Sequence, residues 1–576
     1  MLPLVLRGYD MAGPAPQQIQ FYRSFTALRN VRMPRPAPCG PRHGRRVIEA
    51  IRRARRIDIQ DGIRAPMIPA RLSDRLIAPA ERLMAALRDP ARRERTVILV
   101  LLAYVAIWTL YAVLAKGSQD VHTDMAEVFG WSRELAFGHL KHPPLSAWLT
   151  AAWFALFPAA DWAFYLLAMS VAGIALWLAW HLAGDYLDAE KRALALPLLM
   201  LIPFFNFHAL KYNANTVLLP LWAATALCFL RSFERRSAIW AALAGLCAAG
   251  AMLGKYWSIF LLAGLALAAL LDRRRAMYFR SVAPWITVAV GAAALAPHLV
   301  WLVANDFAPF KYATSIHSGS DWSAMRSVAG YLAGSVAYVL LPVLMALAAV
   351  RPARTVTADM LWPASSERRL AAIAFWGPLL LPAMIAPLTG VKITSLWTMS
   401  AWALLPVLLL SPPLAALHRR AALAIVAAAI VLPPLMVVAA PAIAIAFHRS
   451  GDGAPAARHS RLLAERVAHE WQRRTDRPLR VVGGDGDLAY GVAFYLPSRS
   501  TALPDFKLRD TPGVDLARLR REGIAIVCLA VEPTCVLPAG ALGLAGTSIE
   551  VEVTRSHFGV AGRPGRYVIL IVRPQP

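Results

Sequence analysis

Charge is sparse in this sequence. Only 17% of its 576 residues are Asp, Glu, Lys or Arg, while 58% are hydrophobic, and that balance excludes a string of soluble domains. Cysteine is scarce too, and five in the whole chain exclude a disulfide scaffold. His and Cys nowhere adopt zinc spacing, and GDGD at 484–487 lacks the rest of a calcium loop, so no metal is expected. Nor is a nucleotide cofactor expected, because VVGGDGDLAYG follows a strand-like run without the GxGxxG spacing. Lysine is rare: 8 residues against 53 Arg.

What is present are apolar runs long enough to cross a hydrocarbon layer, which takes about 20 helical residues. They fall near 97–115, 162–184, 193–209, 216–231, 237–252, 256–271, 281–303, 328–350, 370–388, 394–411 and 421–447, about eleven spans. The first is too long and too late to be a signal peptide. With that span running outward, the loops left on the cytoplasmic side carry 15 basic residues and the opposite loops 8, as the retention of Lys and Arg inside requires. The odd count sends the chain after Ser450 outside.

Three regions follow. Residues 1–96 form a basic arm with 20 Arg and 8 acidic residues, nearly half of the chain's formal charge of +26. Its composition is that of a disordered cytoplasmic tail touching anionic lipid rather than nucleic acid. Met84, just before LRDPARRER, is a second candidate for the start of translation. Residues 97–450 are the membrane domain, with a first outward loop at 116–161. Residues 451–576 read as a small soluble α/β domain, with a helix at 461–474 and strands at 479–484, 524–531 and 567–572. The fold class is therefore mainly α, a polytopic membrane protein with a C-terminal α/β domain. Cys528 and Cys535 lie in that outward domain, either joined or as two free thiols.

The first outward loop places Asp120, Asp124, Glu127, Arg133, Glu134, Lys141 and His142 among amphipathic, Trp- and Phe-rich stretches. Stretches of that kind lie along a membrane interface. They either form a solvated aromatic belt or handle a substrate with a lipid tail and a polar head. Six of the eight lysines, Lys116, Lys141, Lys211, Lys255, Lys311 and Lys392, fall on the outward side, against the general bias. A compact ammonium suits phosphate as a point charge. Lys211, Lys255 and Lys392, each in a short connection between spans, are the candidates for that role.

The segment TDMAEVFGWSRELAFGHLKHPPLSAW resembles the first periplasmic loop of lipid-linked glycosyltransferases with a GT-C fold, specifically glycosyltransferase family 39 and its relatives, the protein O-mannosyltransferases and lipid A aminoarabinose transferases. Asp124 occupies the acidic position, Ser132, Arg133 and Glu134 the SRE triplet, and His142, Pro143, Pro144 and Leu145 the HPPL motif. VVGGDGDLAYGVAFYLPSRS resembles the outer domain of bacterial members.

The resemblance implies transfer of a hexosyl or pentosyl group from a polyprenyl-phosphate donor to a glycan, lipid or protein acceptor at the outer, periplasmic face of the inner membrane, by direct inverting displacement. Asp124 would take the acceptor proton. Lys211 and Lys255, with Lys392 as a third, would meet the charge growing on phosphate, and His142 would either add a donor or be structural. Glu127, Arg133 and Glu134 are candidate acidic or orienting residues; Tyr212, Asn213 and Asn215 would orient acceptor or sugar. The match has departures. Asn215 stands where relatives commonly have a second Asp, Lys141 where many have an acid before HPP, and Met125 where some have Glu. Glu127, one helical turn from Asp124, is a candidate replacement for the lost acid. Two alternatives stay open: a transporter or flippase of a lipid-linked or polar solute, or a silent member acting through its outer domain. Against the transporter, the polar groups gather in outward loops and no inverted repeat is evident.

Overall fold

The computed structural model describes residues 70–450 and 459–575, except 509–510, 512, 532–534, 536, 538–539 and 541, with side chains from residue 77. The chain divides into two units, Met1–Arg82 and Leu83–Pro576. The basic tail expected at 1–96 lies outside the described residues as far as residue 69. From Ala70 it is helical: α1 (Ala70–Arg88) spaces Ala80, Met84 and Leu87 along one buried stripe between arginines.

In the second unit α2 (Arg93–Ala115) is followed by α3 (Thr123–Ser132) and α4 (Leu145–Leu156) in the first long loop, then α5 (Asp161–Gly184), α6 (Ala189–Met200), α7 (Ala214–Arg235) and α8 (Ala238–Gly254). A 3-10 turn at Tyr256–Ser258 leads to α9 (Ile259–Leu271), α10 (Arg275–Phe279), α11 (Ala283–Ala304), α12 (Ala308–His317), α13 (Asp321–Val350), α14 (Arg354–Leu361) and α15 (Ser366–Thr389). A 3-10 stretch, Ser395–Leu404, runs into α16 (Leu405–Leu410), and α17 (Arg419–Ser450) completes the bundle.

The chain is a polytopic membrane protein. Among the described residues seven helices, α2, α5, α7, α11, α13, α15 and α17, are long and apolar enough to span a bilayer, and α4, α8 and the stretches Tyr256–Leu271 and Ser395–Leu410 are shorter apolar pieces. The apolar run at 193–209 is not one helix. Pro203 disfavours helix in the residue before it, so α6 stops at Met200, and buried Asn206 donates its side-chain amide to the freed Met200 carbonyl at 3.0 Å. Helix α7 is the best buried span, with 78% of its apolar window inside protein against 11% for α11. Its polar residues Thr216, Thr225 and Ser232 are thereby kept from lipid. Glycines set two of the crossings. A Cβ on Gly264 of α9 would come within 2.6 Å of Pro378 on α15, and one on Gly245 of α8 within 2.5 Å of the Thr287 carbonyl on α11. Close backbone approach of this kind is what lets helices pack in lipid.

The C-terminal domain carries α18 (Ser460–Gln472), β1 (Val481–Gly484), α19 (Gly486–Tyr495), β2 (Thr501–Pro504), α20 (Leu516–Glu522), β3 (Ile524–Leu529), β4 (Thr547–Val553), β5 (Ser556–His557), β6 (Val560–Ala561) and β7 (Gly565–Val572). Its five-stranded sheet has the order β2-β1-β3-β7-β4, parallel across β2, β1 and β3 and antiparallel on either side of β7. Fully buried β1 and β3 read as continuous apolar runs, as central parallel strands do. Cys528 and Cys535 are joined as a disulfide. Through α19 the domain rests on α3: Phe494 meets Phe129 edge-on at 4.9 Å, and the Tyr490 ring lies where a Cβ on Gly130 would be.

Candidate active site

Helix α3 starts because His122 caps it, its Nδ1 accepting the Asp124 N–H at 3.1 Å. An imidazole nitrogen used as an acceptor leaves His122 neutral. Asp124 therefore sits in the first turn, where the unsatisfied N–H groups of the helix favour a negative charge. Its Oδ2 receives the Lys211 ammonium at 2.9 Å and the Asn213 amide at 3.0 Å.

Asn213 is held by a second duty. It caps α7, its Oδ1 accepting the N–H groups of Asn215 at 2.9 Å and Thr216 at 3.3 Å, so the amide nitrogen is left to face Asp124. Thr216 Oγ1 closes the turn by donating to the Lys211 carbonyl at 2.7 Å. Two positions after Asn213, Asn215 Oδ1 accepts Lys255 Nζ at 2.7 Å, and that ammonium also lies over the Trp397 ring at 4.9 Å. Asp124, Lys211, Asn213, Asn215 and Lys255 thus form one connected array drawn from three segments.

Its electrostatics follow from burial and charge count. Burial alone would raise Asp124, but the Lys211 ammonium, with the hydrogen bonds from Lys211 and Asn213, outweighs it and holds the carboxyl well below the usual range. Burial lowers Lys255 to about 7 against a weaker pull from Asp124. Lys116, at the end of α2, is lowered to about 8 by burial and by Lys211. The carboxylate thus meets Lys211 directly, and Lys255 and Lys116, whose charge is least well met, are the amines to which an incoming anion would restore it. His142 is pushed down to about 3 by burial, ahead of the repulsion from Lys255, and is neutral. It can donate a hydrogen bond but no charge.

Glu127, one turn along α3, is bound to Lys141 at 2.6 Å. Burial nevertheless carries it up to about 7, since Lys141 only partly offsets the loss of water. Lys141, which replaces the acid expected before HPP, has thus taken Glu127 as its partner. Lys392 stands beside Gly319 and donates its backbone N–H to the His317 carbonyl at 2.9 Å. The His317 ring meets Trp397 at 5.1 Å, so Lys392 borders the array through that ring pair.

Other expected site residues are placed elsewhere. Tyr212 is fully buried, and its hydroxyl donates to the Ser146 carbonyl at 3.1 Å. It packs the connection and has no free group to orient an acceptor. Arg133 donates to the Arg499 carbonyl at 3.4 Å, and Glu134, raised to about 7 by burial, feels Arg518. Both therefore face the C-terminal domain. Among the described residues no group of three or more His, Cys, Asp or Glu can hold a metal ion. His122 and Trp397 were not legible as site residues: the first is a polar residue before a Thr-Asp helix start, a cap signal, and the second is only one of 18 tryptophans.

A family profile described as dolichyl-phosphate-mannose-protein mannosyltransferase matches residues 141–301, a stretch that begins at the HPPL motif and leaves out Asp124. The crystal structure of ArnT from Cupriavidus metallidurans bound to undecaprenyl phosphate superposes with a TM-score of 0.54 at 14% identity, over 83% of this chain and 99% of that one. The chain has the GT-C glycosyltransferase fold. The apo form of ArnT agrees, with a TM-score of 0.53 at 14% identity over the same shares of the two chains. The lipid A galacturonosyltransferase RgtD of Rhizobium johnstonii is 26% identical over 238 residues, 40% of this chain. The match spans about half of that relative, 48% of its length.

Proposed function

We propose that this GT-C protein transfers a sugar from a polyprenyl-phosphate carrier to an acceptor at the outer face of the cytoplasmic membrane, by direct inverting displacement. The observation that carries the reading is the array itself: a carboxylate held ionised beside a cluster of amines at the mouth of the bundle. ArnT holds undecaprenyl phosphate in the same fold. RgtD glycosylates a lipid.

In the step, the acceptor oxygen forms a bond to the anomeric carbon from the face opposite the carrier, and the bond from that carbon to the phosphate oxygen breaks. The acceptor proton goes to Asp124, and the electron pair leaves with the phosphate. Lys255, whose ammonium meets Asn215 and the Trp397 face but no carboxylate within ion-pair distance among the described residues, takes the growing phosphate charge, with Lys211 between phosphate and base. Asn213 keeps the carboxylate aimed. Where a second acid would stand, Asn215 instead presents an oxygen that orients Lys255 without cancelling its charge. The sugar is hexosyl or pentosyl, and the acceptor a glycan, a lipid or a protein.

The excess of basic residues on the loops assigned to the cytoplasmic side and the disulfide of the C-terminal domain both favour a periplasmic site at the inner membrane. The test is reconstitution in vesicles with polyprenyl-phosphate sugars and envelope acceptors, following free carrier phosphate by mass spectrometry. Release of carrier together with glycosylated acceptor supports the proposal. No cleavage with any acceptor, with solute flux across the same vesicles, would replace it with a transporter.

A further inference from the structure

The C-terminal domain grips the chain immediately before the catalytic helix. Asp120 is 2% exposed, and its Oδ1 receives Arg555 at 2.5 Å, while its Oδ2 is buried with no partner among the described residues. The next residue, Val121, donates its backbone N–H to the hydroxyl of Tyr495 at 2.9 Å. Tyr495 in turn donates to Asp161 Oδ1 at 2.9 Å, Arg461 pairs with the same carboxylate, and the Arg461 guanidinium lies 4.8 Å over the Tyr495 ring. A phenol has one proton to give, so the bond to Asp161 settles that its oxygen is the acceptor for Val121. His122 follows directly as the cap of α3, and Asp124 comes two residues later.

From this geometry we infer that Tyr495 and Arg555 are positioning residues for the transfer proposed above: the C-terminal domain sets where α3 begins, and so where the Asp124 carboxylate points. The inference rests on that reading for its effect on turnover, but its structural half does not. Residues 120 and 121 are the last of the coil after α2. Their two attachments to the domain, one ionic and one to the backbone, leave the cap no freedom to slide. Aromatic packing of Phe494 would hold the domain down without either contact, so docking and positioning are separable.

The test uses the full chain in nanodiscs with Tyr495→Phe, which keeps the ring and removes the hydroxyl, and with Arg555→Met and Arg555→Lys. Hydrogen exchange is read on peptides covering 118–132, and kcat and KM for donor are read separately. Tyr495→Phe should speed exchange at the start of α3 by about tenfold, the worth of one buried hydrogen bond. It should also lower kcat by about tenfold or more at a KM within about twofold of wild type, because misplacement of a reacting group falls on the transition state. Arg555→Met should do the same and Arg555→Lys should restore most of it. Unchanged exchange in 118–132, or faster exchange spread over the whole C-terminal domain, would overturn the inference. So would faster local exchange with wild-type kcat. If the wild-type protein transfers no sugar, the proposed function fails while exchange alone still decides the positioning: acceleration confined to 118–132 supports it and its absence refutes it.

Discussion

Asp124→Asn separates chemistry from architecture. The amide is isosteric, and its oxygen can still accept from Lys211 and Asn213, so the array keeps its shape. What is lost is the charge opposite Lys211 at 2.9 Å. Coulomb's law puts that pair at about 1.4 kcal/mol in the dielectric of water and about 6 kcal/mol at an effective value near 20. The two side chains are 36% and 38% accessible, so screening governs, and pairs exposed to this degree contribute about 0–1 kcal/mol. We therefore expect a stability loss of about 1 kcal/mol, read as a small fall in Tm. The folded carboxyl is held below its unfolded value, so this contribution is complete above about pH 4 and fades as pH falls further. Turnover should respond on another scale. Removing a general base costs about 100- to 10,000-fold, equivalent to about 3–5 kcal/mol of barrier. The assay is carrier-phosphate release by the reconstituted variant beside its thermal unfolding. Turnover within about tenfold of wild type, from a protein that folds normally, would refute Asp124 as the base.

Burial lowers Lys255 to about 7, so above that pH it must take up a proton to meet a phosphate as an ammonium. Affinity for polyprenyl phosphate should therefore weaken as pH rises from about 7 to 10, by up to about tenfold per unit, and Lys255→Met should bind weakly with a flat profile. Glu127→Gln should lower kcat by less than about tenfold, because Lys141 already occupies that carboxylate and a pair of this kind orients rather than accepts a proton. A loss equal to that of Asp124→Asn would make Glu127 the base. Gly264→Ala should cost about 1–3 kcal/mol in thermal unfolding, since the new Cβ would lie 2.6 Å from Pro378 across a packed crossing.

Hydropathy is local and additive, so most spans could be read directly, and they failed where a local rule was outweighed. The run at 193–209 has the composition of a span, yet Pro203 ends its helix and Asn206 seals the break, a polar contact that no window average registers. In the tail, arginines masked the stripe of α1. Asp124, Lys211 and Lys255 could be singled out, the first by its loop motif and the others because lysine is rare in an arginine-rich chain. Their mutual placement could not. Asn213 and Asn215, two positions apart, were candidates with the same chemistry, and only the cap on α7 assigns one to the carboxylate and the other to Lys255.

The amino-acid order thus determined on its own that the chain lives in a bilayer and which few charged groups merit attention, because both depend on neighbouring residues alone. Tertiary structure decided which charges answer each other and that Tyr495 reaches back to Val121, a separation of 374 positions. Contacts of that range exist only once the helices have packed and the C-terminal sheet has docked, and no periodicity or composition carries them.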